Sequence, residues 1–421
     1  MLNALCQFLT LFVVAKLGTV AQVGHYGLAL SVVSPVFMLA ALRMRTILAT
    51  DSGHRFPFVH FLQLRLVAML FALVVVIAMT RMGAWHPLAW LFLCVAIGKA
   101  IESVSEILQG LQQKYERVDL LSLSLVASGV AGLLCFALGF YATRDLIVAT
   151  AAVIAARLLV LFAYDLPATL PLWQQDLVRV AVARASPAAA DSTGQTLLLR
   201  AAASWDPLGR LFWQALPLGT TSLLVSLNSG MPKYQLSWFA TDADVGIFVM
   251  LSSVMAAGTM AFRAVEQPVT PRLARYFAAG NFHAFWRLLR SLMWASAVTG
   301  ATAAGIAYLA GAWLLNLIRP EYAPHVLSLA LLVLATTASY AAGIVEAALI
   351  GVRFTGIHLP MHLCTLAACT LCGFLLIPRH GVLGGAIALC LCRLPYIAVG
   401  WVCLRRAVPA AVVCAKCLPG E

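Results

Sequence analysis

Ala21-Gln-Val-Gly-His-Tyr-Gly-Leu-Ala-Leu-Ser-Val32 opens one long apolar run, and Ala243-Asp-Val-Gly-Ile-Phe-Val-Met-Leu-Ser-Ser-Val254 opens another. With Val23 registered on Val245, Gly24 falls over Gly246 and Tyr26 over Phe248. A second echo runs from Glu106-Ile-Leu-Gln-Gly110 to Glu346-Ala-Ala-Leu-Ile-Gly351, one residue longer. The members of each pair lie six apolar runs apart, so the chain reads as one six-span unit used twice. An even number of spans per unit gives both copies the same orientation, which makes the repeat parallel, with its axis along the membrane normal.

The composition permits this and excludes much else. Of 421 residues 62% are hydrophobic and only 10% charged, too few to build the surface of a soluble domain. A spanning helix needs roughly 20 apolar residues. Spans are predicted at about 2–20, 23–43, 61–82, 87–110, 118–141, 146–164, 211–231, 240–263, 288–309, 324–350, 357–377 and 381–404. The runs are continuous and lack the alternation of barrel strands.

The formal charge of +12 is dispersed over loops with no basic run, so no nucleic-acid partner is expected. It reads instead as a topology signal. With the amino terminus inside, most of the arginines fall in inner loops and the tail, and the outer loops keep Lys16, Arg81, Arg144, Lys233, Arg319 and Arg379. Both termini are therefore expected on the cytoplasmic side of the membrane. The amino terminus is apolar from Leu2 with no basic flank, and is expected to be a retained first span. The eleven cysteines lie mostly inside apolar runs and read as small hydrophobes.

The expected fold is an all-α integral membrane protein of about twelve transmembrane helices, in two pseudo-symmetric six-helix bundles around a central cavity. The bundles are placed at 1–164 and 211–406, followed by a cytoplasmic tail, 407–421. Between them, 165–210 reads as a polar cytoplasmic connector, because it carries Asp165, Asp176, Arg179, Arg184 and Asp191 with prolines 167, 171, 187 and 207. One stretch outside the spans is amphipathic. Pro271–Arg290 mixes aromatic residues with Arg272, Arg275, Arg287 and Arg290, and is expected to run along the inner leaflet against anionic headgroups.

Three constellations could carry chemistry. Lys99, Glu102, Ser105 and Glu106 share one face of the fourth span by their spacing. Charge inside a bilayer must face protein or a water-filled cavity, so this face reads either as the wall of a translocation path or as internal pairing of Lys99 with Glu102. Glu106 and Glu346 are the candidates for carrying a coupling proton or cation. Arg45 and Arg263, with Arg43, close equivalent spans of the two halves; a guanidinium fork matches phosphate oxygens, while arginine at an inner span end is also the ordinary topology signal. His358 with His362 and Cys414 with Cys417 have ligand-like spacing but lack a third ligand, so no metal is expected. No catalytic Ser/His/Asp or Cys/His set is suggested by spacing, and no cofactor or nucleotide-binding loop is recognisable. The energy must then come from an ion gradient, the membrane potential or removal of the product.

Leu216-Pro-Leu-Gly219, Leu227-Asn-Ser-Gly-Met-Pro-Lys-Tyr234, Val245-Gly-Ile-Phe248, Pro271-Arg-Leu-Ala-Arg-Tyr276 and Pro320-Glu-Tyr-Ala323 resemble the second half of bacterial polysaccharide-export proteins of the oligosaccharide flippase family. That family belongs to the multidrug/oligosaccharidyl-lipid/polysaccharide exporter superfamily. Val23-Gly-His-Tyr-Gly27, Leu64-Arg65 and Tyr164-Asp165-Leu166-Pro167 are similar to its first half. The resemblance implies transfer of an undecaprenyl-pyrophosphate-linked glycan to the periplasmic leaflet by alternating access. Its implied partners are membrane lipids, a polysaccharide polymerase and a chain-length regulator. Two rivals remain: a cation-coupled multidrug antiporter with the same bundle plan, and a membrane-bound polysaccharide polymerase, which should show long outer loops that this chain lacks.

Overall fold

The computed structural model describes residues 2–51, 56–82, 86–184, 206–352 and 354–417; the side chains of 2–4, 82, 180–184, 206–207, 255–268, 355 and 407–417 lie outside it. The described residues are almost entirely helical, with no strand among them. The helices are α1 Leu2–Leu17, α2 Val20–Ala41, α3 Met44–Thr50, α4 Phe58–Met82, α5 Ala89–Lys114, α6 Val118–Thr143, α7 Leu146–Val160, α8 Leu166–Arg184, α9 Asp206–Phe239, α10 Asp242–Ala278, α11 Phe282–Ile318, α12 Val326–Gly351 and α13 His358–Cys417. Gly381, at φ 52° and ψ −125°, breaks α13 into two rods.

Among the described residues, seven helical stretches, α13 counted as one, are apolar and long enough to cross a membrane by length and composition. Helices α4 and α11 turn Leu70, Phe71, Trp294, Leu309 and Trp313 outward. Large apolar side chains on the outside, with arginine and aspartate inside, reverse the pattern of a soluble protein and suit a surface solvated by lipid.

Helix ends follow local chemistry. Thr19 and Gln22 cap α2 reciprocally, at 2.8 and 3.2 Å. Asp145 accepts from Ile147 N at 2.8 Å to start α7, Thr241 and Asp244 form a full capping box on α10, and Asn281 caps α11 through Ala284 N at 3.1 Å. Each cap satisfies a backbone donor that the apolar phase cannot.

The chain divides into two compact units. The first comprises Met1–Val13 and Ala29–Ser226, the second Val14–Leu28 and Leu227–Glu421. In the first, Met44, Leu48, Phe58, Phe61, Ile107, Leu111, Leu161, Leu172 and Leu211 form a core that α5 crosses. In the second, Leu273, Phe285, Leu289, Val345, Met361, Tyr396 and Leu404 form the corresponding core.

That second core corrects one expectation. Pro271–Arg290 is no separate surface helix but the tip of a hairpin: α10 ends at Ala278, Gly280 turns the chain at φ 66°, and α11 begins at Phe282. Leu273, Phe285 and Leu289 are fully buried, and Trp286 meets Trp401 edge-on at 5.3 Å. Burial of these rings against α12 and α13 outweighs what a membrane surface offers the same face. Arg272, Arg275, Arg287 and Arg290 stay exposed.

The repeated glycines meet in the second unit. A Cβ on Gly24 would lie 2.6 Å from Asp242 O and 2.9 Å from Gly246 N, and one on Gly246 would lie 1.9 Å from Val20 O. Repeat-related backbones thus touch at the positions where the sequence repeats most clearly, and only a residue without a side chain fits. His25 Nε2 lies 3.1 Å from Asp242 Oδ2 beside this crossing. Replacing Gly246 by Ala is expected to destabilise the protein by about 1–3 kcal/mol through overpacking. Gly305→Ala, with nothing within 4 Å of the new methyl, should not destabilise it; thermal unfolding in detergent micelles compares the two.

Candidate functional site

The polar groups of the first unit converge on α5, which carries too much charge to read as a simple span. Arg65 of α4 is its anchor, 1% exposed. Its Nε donates to Ser103 O at 2.9 Å, Nη1 to Ala41 O at 2.8 Å, and Nη2 to Glu106 Oε2 at 3.0 Å. Ala41 ends α2, and the next two residues, Leu42 and Arg43, are left-handed at φ 52° and 49°. Such residues cost about 1–2 kcal/mol each, and the guanidinium holds the carbonyl that precedes them. This turn starts α3 and sets Arg45 against α5.

Arg45 donates from Nε to Gln113 Oε1 at 3.3 Å and from Nη1 to Gln109 Oε1 at 3.4 Å. Among the described residues it forms no ion pair within 4 Å. Arg43, at the start of the same turn, is exposed. Arg263 lies on α10 in the stretch whose side chains are not described, so its guanidinium is outside the described residues.

One turn along α5, Glu102 Oε2 receives Lys99 Nζ at 2.9 Å and Arg157 Nη1 at 2.9 Å, and Arg157 Nη1 also donates to Gly98 O at 2.8 Å. The Lys99–Glu102 pairing is one of the two alternatives that the spacing allows, and the structure adds Arg157 to it. Glu106 is 43% exposed and its carboxylate belongs to Arg65. In the second unit Glu346 is half-buried on α12 and interacts with Tyr396, whose hydroxyl lies 3.4 Å from His358 Nδ1. Of the residues expected on one face of α5, Lys99 and Glu102 meet each other and Arg157, Glu106 goes to Arg65 instead, and Glu346 lies on α12.

Three groups escaped the sequence reading. Asp165 and Asp176, assigned to a polar connector, are both 0% exposed. Asp176 accepts from Lys114 Nζ at 2.9 Å, Tyr115 Oη at 3.3 Å and Phe58 N at 3.1 Å, so it caps α4 and pins α8 to α5. Burial, and next the Asp176 carboxylate, push the Tyr115 hydroxyl up to about 12, which keeps it a donor. Lys233 was assigned to an outer loop, but α9 continues through it to Phe239. It lies half-buried there, with no ion pair within 4 Å among the described residues.

Among the described residues, the arrangement sets Arg45 against neutral amides without an ion pair, and pairs Arg65, Lys99, Arg157 and Lys114 with carboxylates, in a helical membrane scaffold. No protein-family model matches the chain. A curated relative, the capsular polysaccharide biosynthesis protein CapF of Staphylococcus aureus, is 23% identical over 392 residues, 92% of each chain. Among solved structures, an inward-facing multidrug resistance MATE family transporter of the MOP superfamily matches with a TM-score of 0.73 at 13% identity, over 97% of this chain and 95% of its own. The lipid II flippase MurJ, in an inward closed conformation, matches with a TM-score of 0.70 at 9% identity, over 100% of this chain and 92% of its own. The chain is a multi-pass membrane protein with the twelve-helix fold of the MATE and MurJ structures. That is the fold implied by its resemblance to the oligosaccharide flippases of the exporter superfamily.

Removing Arg65 would leave a carboxylate and two carbonyls without their donor. Arg65→Ala is expected to cost about 3–5 kcal/mol, and Arg45→Ala much less, because its glutamine partners are neutral. Unfolding midpoints of the two purified variants check the order; equal losses would contradict it.

Proposed function

We propose that the protein is a flippase, not an enzyme, that moves an undecaprenyl-pyrophosphate-linked oligosaccharide from the cytoplasmic to the periplasmic leaflet of a bacterial inner membrane. The product feeds a surface polysaccharide, whether O-antigen of lipopolysaccharide, capsule or exopolysaccharide. Both termini lie in the cytoplasm, and the polymerase and chain-length regulator of the pathway act downstream. The observation that carries this reading is Arg45, a guanidinium whose hydrogen bonds among the described residues go to two glutamine oxygens, in a chain whose relative is named for capsular polysaccharide biosynthesis. A pyrophosphate offers what those amides do not, a charged acceptor that engages both arms of the fork.

In this reading the two six-helix bundles admit the headgroup and glycan to a central cavity while the prenyl tail stays in lipid. Rocking of the bundles then exposes the cavity to the other side. Arg45, with Arg43 and Arg263, receives the pyrophosphate. Lys99, Glu102 and Glu106 build the polar wall, which Arg65 and Arg157 hold in place. A second reading, a cation-coupled multidrug antiporter, draws on the MATE structure with the same fold; a drug-susceptibility panel of cells with and without the protein separates the two.

Replacing Arg45 and Arg263 together by Ala is expected to abolish surface polysaccharide while the protein remains at its normal level in the membrane. Immunoblotting of membranes alongside polysaccharide staining measures both. Normal polysaccharide in the double variant would remove these arginines from the mechanism.

A further inference from the structure

Among the described residues of the first unit, Asp165 is the buried carboxylate without a hydrogen-bond partner. It ends a widened turn, Leu161–Asp165, whose hydrogen bonds span five residues rather than four. Pro167 explains the turn, since its ring clashes with the carbonyl four residues back and it has no N–H to offer that carbonyl. The side chain is 0% exposed, and neither Oδ1 nor Oδ2 has a hydrogen-bond partner.

The surroundings are polar and uncharged. From α5 the Ser105 hydroxyl faces the carboxyl, and from α6 the Ser124 hydroxyl does so, both short of full hydrogen-bond geometry. From α8, Thr169 Oγ1 donates to the Asp165 carbonyl at 2.6 Å, and Gln112 Nε2 donates to Thr169 Oγ1 at 3.0 Å. The adjacent Tyr164 is the titratable side chain nearest in sequence; its hydroxyl donates to Leu120 O at 3.3 Å. The cations of α4, α5 and α7 are engaged elsewhere: Lys114 by Asp176, Arg157 by Glu102, Arg65 by Glu106. An isolated carboxylate in so dry a place is costly by several kcal/mol, whereas the neutral acid is not.

A chain of hydrogen bonds starts at Ser124, which faces the carboxyl, and leads away to Arg45. Gln109 Nε2 donates to Ser124 Oγ at 2.9 Å, and Gln109 Oε1 accepts from Arg45 Nη1 at 3.4 Å. Since Ser124 Oγ already accepts from Gln109, its own hydrogen is free to turn to Asp165. Arg45 and Asp165 are thus the two ends of one line: Arg45, Gln109, Ser124, Asp165.

From this geometry we propose that Asp165 holds the coupling proton of the transport cycle and exchanges it in response to occupancy of Arg45. The proposal rests on the flippase reading for its substrate, but the proton site itself does not. An anion that draws the Arg45 guanidinium off Gln109 frees the amide to turn, which changes what Ser124 offers the carboxyl. Only an O–H bond at Asp165 forms or breaks, with the proton taken from or released to water. Glu102, Glu106 and Glu346, each with a partner, are less suited to this exchange.

Two readouts test it on full-length protein in proteoliposomes. Infrared difference spectroscopy between acidic and alkaline buffer should show the carbonyl stretch of a protonated carboxylic acid. Asp165→Asn should remove the band, and Ser124→Ala should keep it with a shifted frequency, which guards against loss of the band by misfolding. Transport of undecaprenyl-pyrophosphate-linked oligosaccharide, pooled from cells lacking the protein, should respond to an imposed pH gradient in the wild type and lose at least tenfold of that response in Asp165→Asn. A band that survives Asp165→Asn, or an Asn variant with the wild-type response, overturns the proposal. A wild type that moves no glycan overturns the flippase reading instead, while the infrared result still decides the proton site.

Discussion

In hydrocarbon every backbone group and every charge has to find its partner within the protein, and Arg65 is where the first unit meets that demand. One guanidinium ties the end of α2, a carbonyl in the middle of α5 and the Glu106 carboxylate into a single knot. Its three acceptors fix the angle at which the chain leaves α2 through two left-handed residues, and so fix where Arg45 stands. A lysine in the same place could balance the charge but could not supply the planar fork that reaches all three. The functional face of the unit therefore depends on a residue that itself has no access to a substrate.

The same demand separates the structural from the usable charges. Glu102 sits between Lys99 and Arg157, and Asp176 satisfies a lysine, a tyrosine and a helix terminus at once. These groups hold helices in register and have little freedom to do more. Arg45, Asp165 and Lys233 are different, each a buried or half-buried group that forms no ion pair within 4 Å among the described residues. A transporter needs such groups, because only an incompletely satisfied site has something to gain from binding and something to lose on release.

The twelve spans were legible because hydrocarbon thickness sets a length that apolar runs must meet, and the repeat was legible because Gly24 and Gly246 are locked by a backbone contact. The face of α5 also followed from spacing alone. Less legible was the path after Leu161. Charge and proline between Asp165 and Arg184 look like a linker, yet the widened turn absorbs Pro167 and lets the helix resume with two aspartates inside. Spacing could not reveal this, since Asp176 is buried by Lys114 and Phe58, over sixty and a hundred residues away. Lys233 falls in a loop by sequence because it follows the span expected at 211–231, whereas α9 runs on to Phe239. Trp286 looks like a membrane-surface aromatic in the sequence because its partner Trp401 on α13 lies more than a hundred residues on.

The measurement that bears most directly on the account is mass spectrometry of undecaprenyl-linked glycans from cells with and without the protein, with their exposure at the periplasmic face assayed in parallel. The account requires complete single repeat units to accumulate in the cells that lack it, and to remain inaccessible from the periplasm. Repeat units that reach the periplasmic face in its absence but are never joined, or lipid-linked pools that do not change at all, would contradict it.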